Sequence, residues 1–530
     1  MLKLTNTLSG KKEPLLLIED KRVKIYTCGM TVQDSPHLGH LRTFVFADVL
    51  RRFLEYLGHE VIFVQNFTDI DDKVLEKARE EGRDYRVIAQ RYIDEFLEVA
   101  EKMNIRKETD IYSRATQHIQ EMIQLIERLL KNGLAYISDG DVYFDISKFP
   151  TYGKLSKKKL DDLIAGARVE IGEKKRSPLD FVLWKGYKEG EPYWYAPFGP
   201  GRPGWHLECS AMSMHYLGET FDIHIGGEDL IFPHHENEIA QSEGATGKPF
   251  VNYWLHNALL LFRGEKMAKS TKNYFLARAA LEKYNPNVIR LFLLKAHYKS
   301  PYEFTIERLE EAKSQWLRLE EFFYLCEKGK PNFSLGNPPD GFLSAMLDDL
   351  NTSKALGEVF KLVEERFKRE DISKEENERL YSLVRSALEI LGFRTEKKDR
   401  WMIKEEVETT YRPTGEVIIT FPDKQVLIKA REQARKNKRY DIADKIRIVM
   451  EKFGYELRDT KEGTDAILRR DLPPNLESFE SALQLIEELK KELREEIELD
   501  KGREKSYLSE IIDLLDRAVK KTRNAERKNK

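Results

Sequence analysis

The 530-residue chain has only three cysteines, Cys28, Cys209 and Cys326, too few for a disulfide framework. Metal binding, catalysis or core packing must account for them. Also missing is any apolar run long enough to span a membrane, and the opening residues Met1-Leu2-Lys3-Leu4-Thr5-Asn6 have no apolar core of a secretion signal. A cytoplasmic protein with no membrane partner is expected. Nor is there an excess of one charge: 89 Lys and Arg against 91 Asp and Glu leave a net of −2. Any surface for a polyanion must therefore be a local cluster of cations. What is present is 41% hydrophobic and 34% charged residues, the balance of a folded chain with a heavily charged surface. The length exceeds what one core sustains, so several domains are expected.

Residues 22–68 read as strand, loop, helix, strand. Val23, Ile25 and Thr27 alternate with polar neighbours, and Phe46, Val49, Leu50, Phe53, Leu54 and Leu57 then recur at helical spacing before Gly58. Val61-Ile62-Phe63-Val64 is a continuous apolar run, as in a strand buried on both faces of a parallel sheet. In such a βαβ unit an anion site lies where the first strand ends and the helix begins. His37-Leu38-Gly39-His40 falls there, with its histidines as phosphate contacts or as plain helix caps. Lys266 and Lys269 lie in the polar stretch Arg263 to Ser270, directly after the apolar run Ala258 to Phe262. Two ammonium groups on a loop can follow phosphate charge as it shifts during attack on phosphorus; the plainer reading is a solvated turn.

Longer stretches carry a family likeness: Tyr26-Thr27-Cys28-Gly29-Met30-Thr31-Val32, Phe67 to Lys73 (FTDIDDK), Gly201 to Ser210 (GRPGWHLECS), Gly226-Gly227-Glu228-Asp229-Leu230 and Phe232 to Glu238 (FPHHENE). With the histidine and lysine segments, they make the chain resemble the class I aminoacyl-tRNA synthetases, and within them the cysteinyl-tRNA synthetases, up to about residue 465. One departure is Ala268, where the family's lysine signature usually has Ser.

The resemblance implies one zinc ion held by Cys28, Cys209, His234 and Glu238. Spacing agrees in part: His234 and Glu238 are four apart and would share one face of a helix, whereas His235 would align with Ile239. His235 is then left to contact ATP or to be exposed, and Glu236 stays open as an alternative ligand. Either cysteine alone would more simply be core, as Cys326 is read to be. Zinc would suit a thiol substrate, because a coordinated thiol is deprotonated and a serine hydroxyl is harder and less acidic.

The likeness further implies that ATP, accompanied by Mg2+, meets His37, Gly39 and His40, that Asp229 accepts from the ribose hydroxyls, and that Lys266 and Lys269 stabilise the transition state. Asp229 has an alternative as a helix cap. Gly29, Thr68 and Trp205 would surround L-cysteine, Trp205 closing the pocket or simply packing in the core. No carboxylate cluster identifies the Mg2+ ligands. The implied reaction is ATP-dependent ligation of L-cysteine to its tRNA through cysteinyl-adenylate.

The expected fold class is α/β: a Rossmann-like parallel-sheet catalytic domain with an insertion, then an all-α bundle and a small C-terminal domain with a helical extension. The expected boundaries are 1–115 and 205–300 for the two catalytic halves, 116–204 for the insertion and 301–400 for the tRNA-binding bundle. Residues 401–470 would form a basic domain on the anticodon side and 471–530 a helical hairpin. Within 429–447, eight Lys and Arg face three acids, and Tyr440 is a candidate to stack on an unpaired base. Lys154, Lys157, Lys158 and Lys159 could meet an acceptor stem or form a solvated face. A monomer is expected. Two rivals are a ligase delivering cysteine to a small amine, which has no use for the long basic helical region, and a noncatalytic tRNA-binding paralogue, which need not keep His37, His40, Lys266 and Lys269.

Overall fold

The computed structural model describes residues 1–105, 110–158, 175–267, 274–327, 336–369, 372–396, 410–411, 419–420, 424–453, 455–460, 463–468, 476–499 and 507–517. Contacts divide the chain after Trp401 into two compact units.

The first unit opens with a hairpin, β1 (Lys3–Asn6) and β2 (Lys11–Pro14). The expected βαβ unit follows: β3 (Arg22–Thr27), α1 (Leu38–Tyr56) and β4 (Glu60–Phe67), with Gly58 at φ +90° turning the chain after the helix. α2 (Asp72–Glu81) and α3 (Tyr85–Lys102) lead to β5 (Ile111–Arg114). A later half adds α5 (Trp205–Leu217), β10 (Phe221–Gly227), α6 (Glu236–Thr246) and β11 (Val251–Asn257). The five strands form one parallel sheet in the order β11-β10-β3-β4-β5. The chain leaves β3 for β4 on one side and returns to β10 on the other, so the crevice at the carboxyl ends of β3 and β10 is the switch point where such sheets take ligands.

Between the halves lie α4 (Ile119–Lys131) and an antiparallel sheet of β6 (Ala135–Ser138), β7 (Asp141–Phe144), β8 (Phe181–Gly186) and β9 (Gly201–Pro203). The described lysines of the basic run here make contacts within the unit, while Lys157 and Lys158 stay exposed to solvent. Lys154 pairs with Glu243 at 2.5 Å, Lys157 donates to the Leu8 carbonyl, and Lys158 sits 4.4 Å over the Phe232 ring. Lys159 lies outside the described residues.

After the sheet come a small sheet of β12 (Leu260–Phe262), β13 (Glu265–Lys266) and β14 (Tyr302–Phe304), and the helices α7 (Ala277–Lys283) and α8 (Pro286–Leu294). Four helices follow as the expected bundle: α9 (Ile306–Glu327), α10 (Asp340–Leu347), α11 (Thr352–Lys368) and α12 (Lys374–Ile390). Their apolar faces join the β3–α1 core through Trp316, Phe322, Phe323 and the fully buried Cys326. Buried charge ties them as well: Arg290 on α8 donates to Asp48 of α1, to the Leu391 carbonyl after α12 and to the Met103 carbonyl. Burial pushes the Asp48 carboxyl up, but Arg290, Arg52 and Arg51 outweigh it and hold the group below its usual range.

The second unit contains two short ladders, β15 (Thr410–Tyr411) with β16 (Ile419–Thr420) and β17 (Tyr455–Thr460) with β18 (Gly463–Leu468). Its helices are α13 (Lys424–Lys436), α14 (Tyr440–Lys452), α15 (Leu476–Leu499) and a last one at 507–517. Leu427, Ile446, Val449, Ile486, Leu489 and Ile511 share one core, so the segment after 471 packs with the basic helices before it. Lys490, only 3% exposed, lies between Glu487 and Asp516 and bolts the last helix to α15.

Candidate functional site

Cys28 directly follows β3 and Cys209 sits one turn into α5, beyond Trp205. His234 is the penultimate residue of the short helical turn Ile231–His235 that precedes α6, and Glu238 lies in the first turn of that helix. Their donor atoms all fall within 4.8 Å of one another, and the exposures are 6%, 2%, 2% and 0%. The Cys28 and Cys209 sulfurs are 3.6 Å apart, and His234 Nε2 is 3.0 Å from Glu238 Oε1. Two sulfurs, an imidazole and a carboxylate at these separations fit a borderline-soft cation such as zinc.

Electrostatics show what such a cluster costs without an ion. Burial pushes both thiols up, and Cys28 stays well above its ordinary range. At Cys209 the Cys28 hydrogen bond and His234 outweigh burial and bring it down to about 6. Burial opposes charge on His234 and Glu238 too, but their mutual attraction raises the imidazole to about 10, while His224 and His234 lower the carboxyl to about 2.

The donor atoms of a second set, Cys28, His224, His235 and Glu238, also lie within 4.8 Å of one another. Its histidines are already engaged in orienting the first. His224 on β10 meets Glu238 Oε2 at 2.9 Å, the oxygen turned away from His234. His235 places Nε2 3.3 Å from the Cys28 sulfur and Nδ1 2.7 Å from His256 Nε2. His206 Nδ1 lies 2.9 Å from His234 Nδ1, which directs Nε2 toward the donor set. Such outer partners fix ligand tautomer and orientation. His235 is therefore fully buried rather than exposed, contrary to one sequence expectation. Glu236 is not a ligand alternative either, because its carboxylate accepts from the N–H groups of Gly153, Leu155 and Ser156. Sequence reasoning overlooked His206, His224 and His256. The available signal was a histidine amid apolar strand residues, as in Phe221-Asp222-Ile223-His224-Ile225.

The amino-acid contacts expected from the resemblance gather beside this pocket. Trp205 is 38% exposed, with its ring 4.4 Å from that of His234, so it lies at the rim and not in a core. Thr68 follows β4, and its hydroxyl donates to Glu208 Oε2 at 2.7 Å. Gly29 admits no side chain, since a Cβ there would lie 1.5 Å from the Asn66 carbonyl oxygen.

At the start of α1 the histidines act as caps, and this bears on chemistry. His37 is the N-cap of α1, and the two rings stack at 3.7 Å. His37 Nδ1 accepts from the His40 N–H at 3.4 Å, and His40 Nδ1 accepts from the His37 N–H at 3.3 Å. A ring accepting at Nδ1 carries its proton on Nε2, so both imidazoles are set as donors at a helix N-terminus, where anions are favoured. A Cβ on Gly39 would crowd the His37 ring at 2.9 Å and approach the Met267 carbonyl at 3.6 Å, which brings the histidine and lysine segments together. On the far side of the lysine segment, Phe275 accepts from the Leu38 N–H at 3.0 Å. Lys266 ion-pairs with Asp229 at 2.7 Å, their side chains 46% and 37% exposed. Asp229 thus faces a lysine, and Gly227 takes the cap position of its turn. Lys269, Ala268 and Ser270 lie outside the described residues.

Comparison with known proteins agrees with this layout. Residues 15–314 match the family model for the class I tRNA synthetase (C) catalytic domain, and 341–395 match the DALR domain. A cysteine–tRNA ligase of Sulfurihydrogenibium sp. (strain YO3AOP1) is 45% identical over 490 residues, covering 87% of this chain and 99% of the relative. This chain belongs to the cysteine–tRNA ligase family. Another member, from Aquifex aeolicus (strain VF5), is 44% identical over 87% of this chain and 98% of its own length. Among solved structures, Mycobacterium tuberculosis methionyl-tRNA synthetase in complex with methionyl-adenylate superimposes with a TM-score of 0.50 at 17% identity, over 70% of this chain and 89% of that one. The class I catalytic fold, the parallel sheet and the helical domain behind it are therefore those expected for this ligase family. Among the described residues no helix is long and apolar enough to cross a membrane.

Proposed function

We propose that the chain is a cysteine–tRNA ligase that selects its amino acid by zinc–thiolate coordination. Membership of the family supports tRNA aminoacylation. The single observation carrying the finer reading is the buried, oriented set Cys28, Cys209, His234 and Glu238. A zinc ion held there would supply a soft Lewis-acid centre that accepts a substrate thiolate and discriminates against serine's harder hydroxyl.

The chain's own groups supply the rest. Trp205 closes the rim over L-cysteine, and Thr68 and Gly29 border it. His37 and His40 donate from Nε2 to ATP phosphate oxygens, alongside the α1 N-terminus. Asp229 accepts from the ribose hydroxyls, and its release from Lys266 frees that ammonium to follow the phosphates with Lys269. The cysteine carboxylate attacks the α-phosphorus: an O–P bond forms, the bond to the bridging oxygen breaks, and pyrophosphate departs with the electron pair, while Mg2+ accompanies the nucleotide. Fixed donors and positioned reactants provide the acceleration. Attack on the adenylate by a terminal ribose hydroxyl of tRNA then forms the ester and releases AMP.

The test is ATP–pyrophosphate exchange with L-cysteine and with L-serine, followed by transfer to tRNA, on protein of measured metal content. Cysteine-dependent exchange and zinc near one per chain are expected. Exchange driven equally by serine, or undiminished after complete zinc removal, would contradict the selection mechanism.

A further inference from the structure

Beside the donor set, a second polar line joins the two segments that carry its cysteines. The Gly29 N–H donates to Asn66 Oδ1 at 2.7 Å, Asn66 Nδ2 reaches Thr68 Oγ1 at 3.5 Å, and the Thr68 hydroxyl donates to Glu208 Oε2 at 2.7 Å. Asn66, Thr68 and Glu208 are 1%, 3% and 0% exposed. Glu208 precedes Cys209 on α5, and one residue of helix turns the side chain about 100° away, toward the end of β4 and not into the donor set. Its other oxygen, Oε1, has no hydrogen-bond partner among the described residues. A buried carboxyl is expensive to keep in an apolar helix, which asks for a role that a hydrophobic residue cannot fill.

Hydrogen-bond direction supplies one. A hydroxyl has one proton and two lone pairs. With the proton committed to Glu208, Thr68 Oγ1 meets any further group as an acceptor. The Asn66 contact, at 3.5 Å, is too long to satisfy that oxygen strongly. An amino acid brings one obligate donor to such an atom, its α-ammonium. We propose that Glu208 is a positioning residue that holds the Thr68 hydroxyl as an acceptor for the substrate's α-ammonium. This rests on Thr68 bordering the amino acid, as in the proposed function.

Steady-state pyrophosphate exchange on wild type, Glu208→Ala, Glu208→Gln, Thr68→Val and the Glu208→Ala/Thr68→Val pair tests it. Zinc content and KM for ATP serve as controls. Glu208→Ala is expected to raise KM for L-cysteine about tenfold or more, the size of a lost hydrogen bond to a charged group. Zinc content and ATP KM should hold, and Glu208→Gln, which keeps an acceptor oxygen, should stay within about threefold of wild type. The double variant should match Thr68→Val alone, as for residues acting through one another. Competitive inhibition by 3-mercaptopropionate, a thiol acid without the ammonium, should be the same in wild type and Glu208→Ala. Equal weakening of that inhibitor and of cysteine, multiplying effects in the double variant, or loss of zinc from Glu208→Ala would each overturn the proposal. Should Glu208→Ala fail to fold, Glu208→Met, which fills similar space without a carboxyl acceptor, decides: a raised KM for L-cysteine with unchanged 3-mercaptopropionate inhibition supports the proposal, and an unchanged KM or equal weakening of both ligands overturns it. A wild type with no cysteine-dependent exchange would remove the functional reading itself, whereas an active wild type matched by an unchanged Glu208→Ala removes only this inference.

Discussion

The donor pocket around Cys28 and the Lys266–Asp229 edge, for which nucleotide contact is proposed, handle charge in opposite ways. In the pocket, Cys28, Cys209, His234 and Glu238 are nearly or wholly enclosed and held by outer histidines, His224 through Glu238 and His206 through His234. At the edge, Lys266 and Asp229 form a half-exposed pair on β13 and a short turn. Enclosure makes each charge in the pocket strong and hard to move, which suits the proposed selection between near-isosteres. Exposure makes the edge cheap to rearrange, which suits the proposed contact with a changing phosphate.

The largest expected effect comes from breaking the pocket. Cys209→Ser should collapse preference for cysteine over serine in pyrophosphate exchange from at least about 10⁴ to about 10², the range of a pocket relying on packing. At the edge, Lys266→Met should cut kcat by about 10². The unfolding free energy should move by less than about 1 kcal/mol, because the Asp229 pair is exposed. A large thermal destabilisation would show that the edge is not the adaptable region described. Smaller than either, His224→Ala should weaken zinc affinity by about 10- to 100-fold in a competitive chelator titration, since it removes the group orienting Glu238.

A smaller effect concerns pH. Glu238, lowered to about 2, contributes stability that is present above its ordinary 4.5 and lost as pH falls toward 2. His234, raised to about 10, contributes stability that is full below its ordinary 6.5 and lost as pH rises through 10. Chelator-treated protein should therefore gain most from this pair between about pH 4.5 and 6.5, and His234→Ala should flatten the alkaline side of its unfolding profile. Zinc uptake near neutrality should expel protons, because His234 must become neutral and Cys28 must ionise. Calorimetry in buffers of different ionisation enthalpy measures that release.

Sequence periodicity was enough for the βαβ unit, because β3 and α1 change from period 2 to period 3.6 at a loop with little tertiary override. The four donors were legible through the family likeness and the His234–Glu238 spacing. The two cysteines, 181 positions apart, meet because α5, which carries Cys209, packs against β3 and β4. The insertion's β6–β9 sheet was missed, since strands of three to six residues leave too few alternations to read. The cationic excess at 429–447 was plain in composition, but its pairing was not. Arg439 reaches Glu496 and Lys445 reaches Glu492, acids supplied about fifty residues later by α15. Tyr440 does remain 60% exposed. Likewise Glu208 reads as one charge in an apolar helix until Thr68 is placed beside it.

Zinc-edge X-ray absorption on the purified protein, with and without L-cysteine, tests the central claim most directly. Two sulfur neighbours in the free protein and three with cysteine bound, but still two with serine, are the expected result. An unchanged sulfur count on adding cysteine, or a fully selective enzyme containing no zinc, would contradict the account.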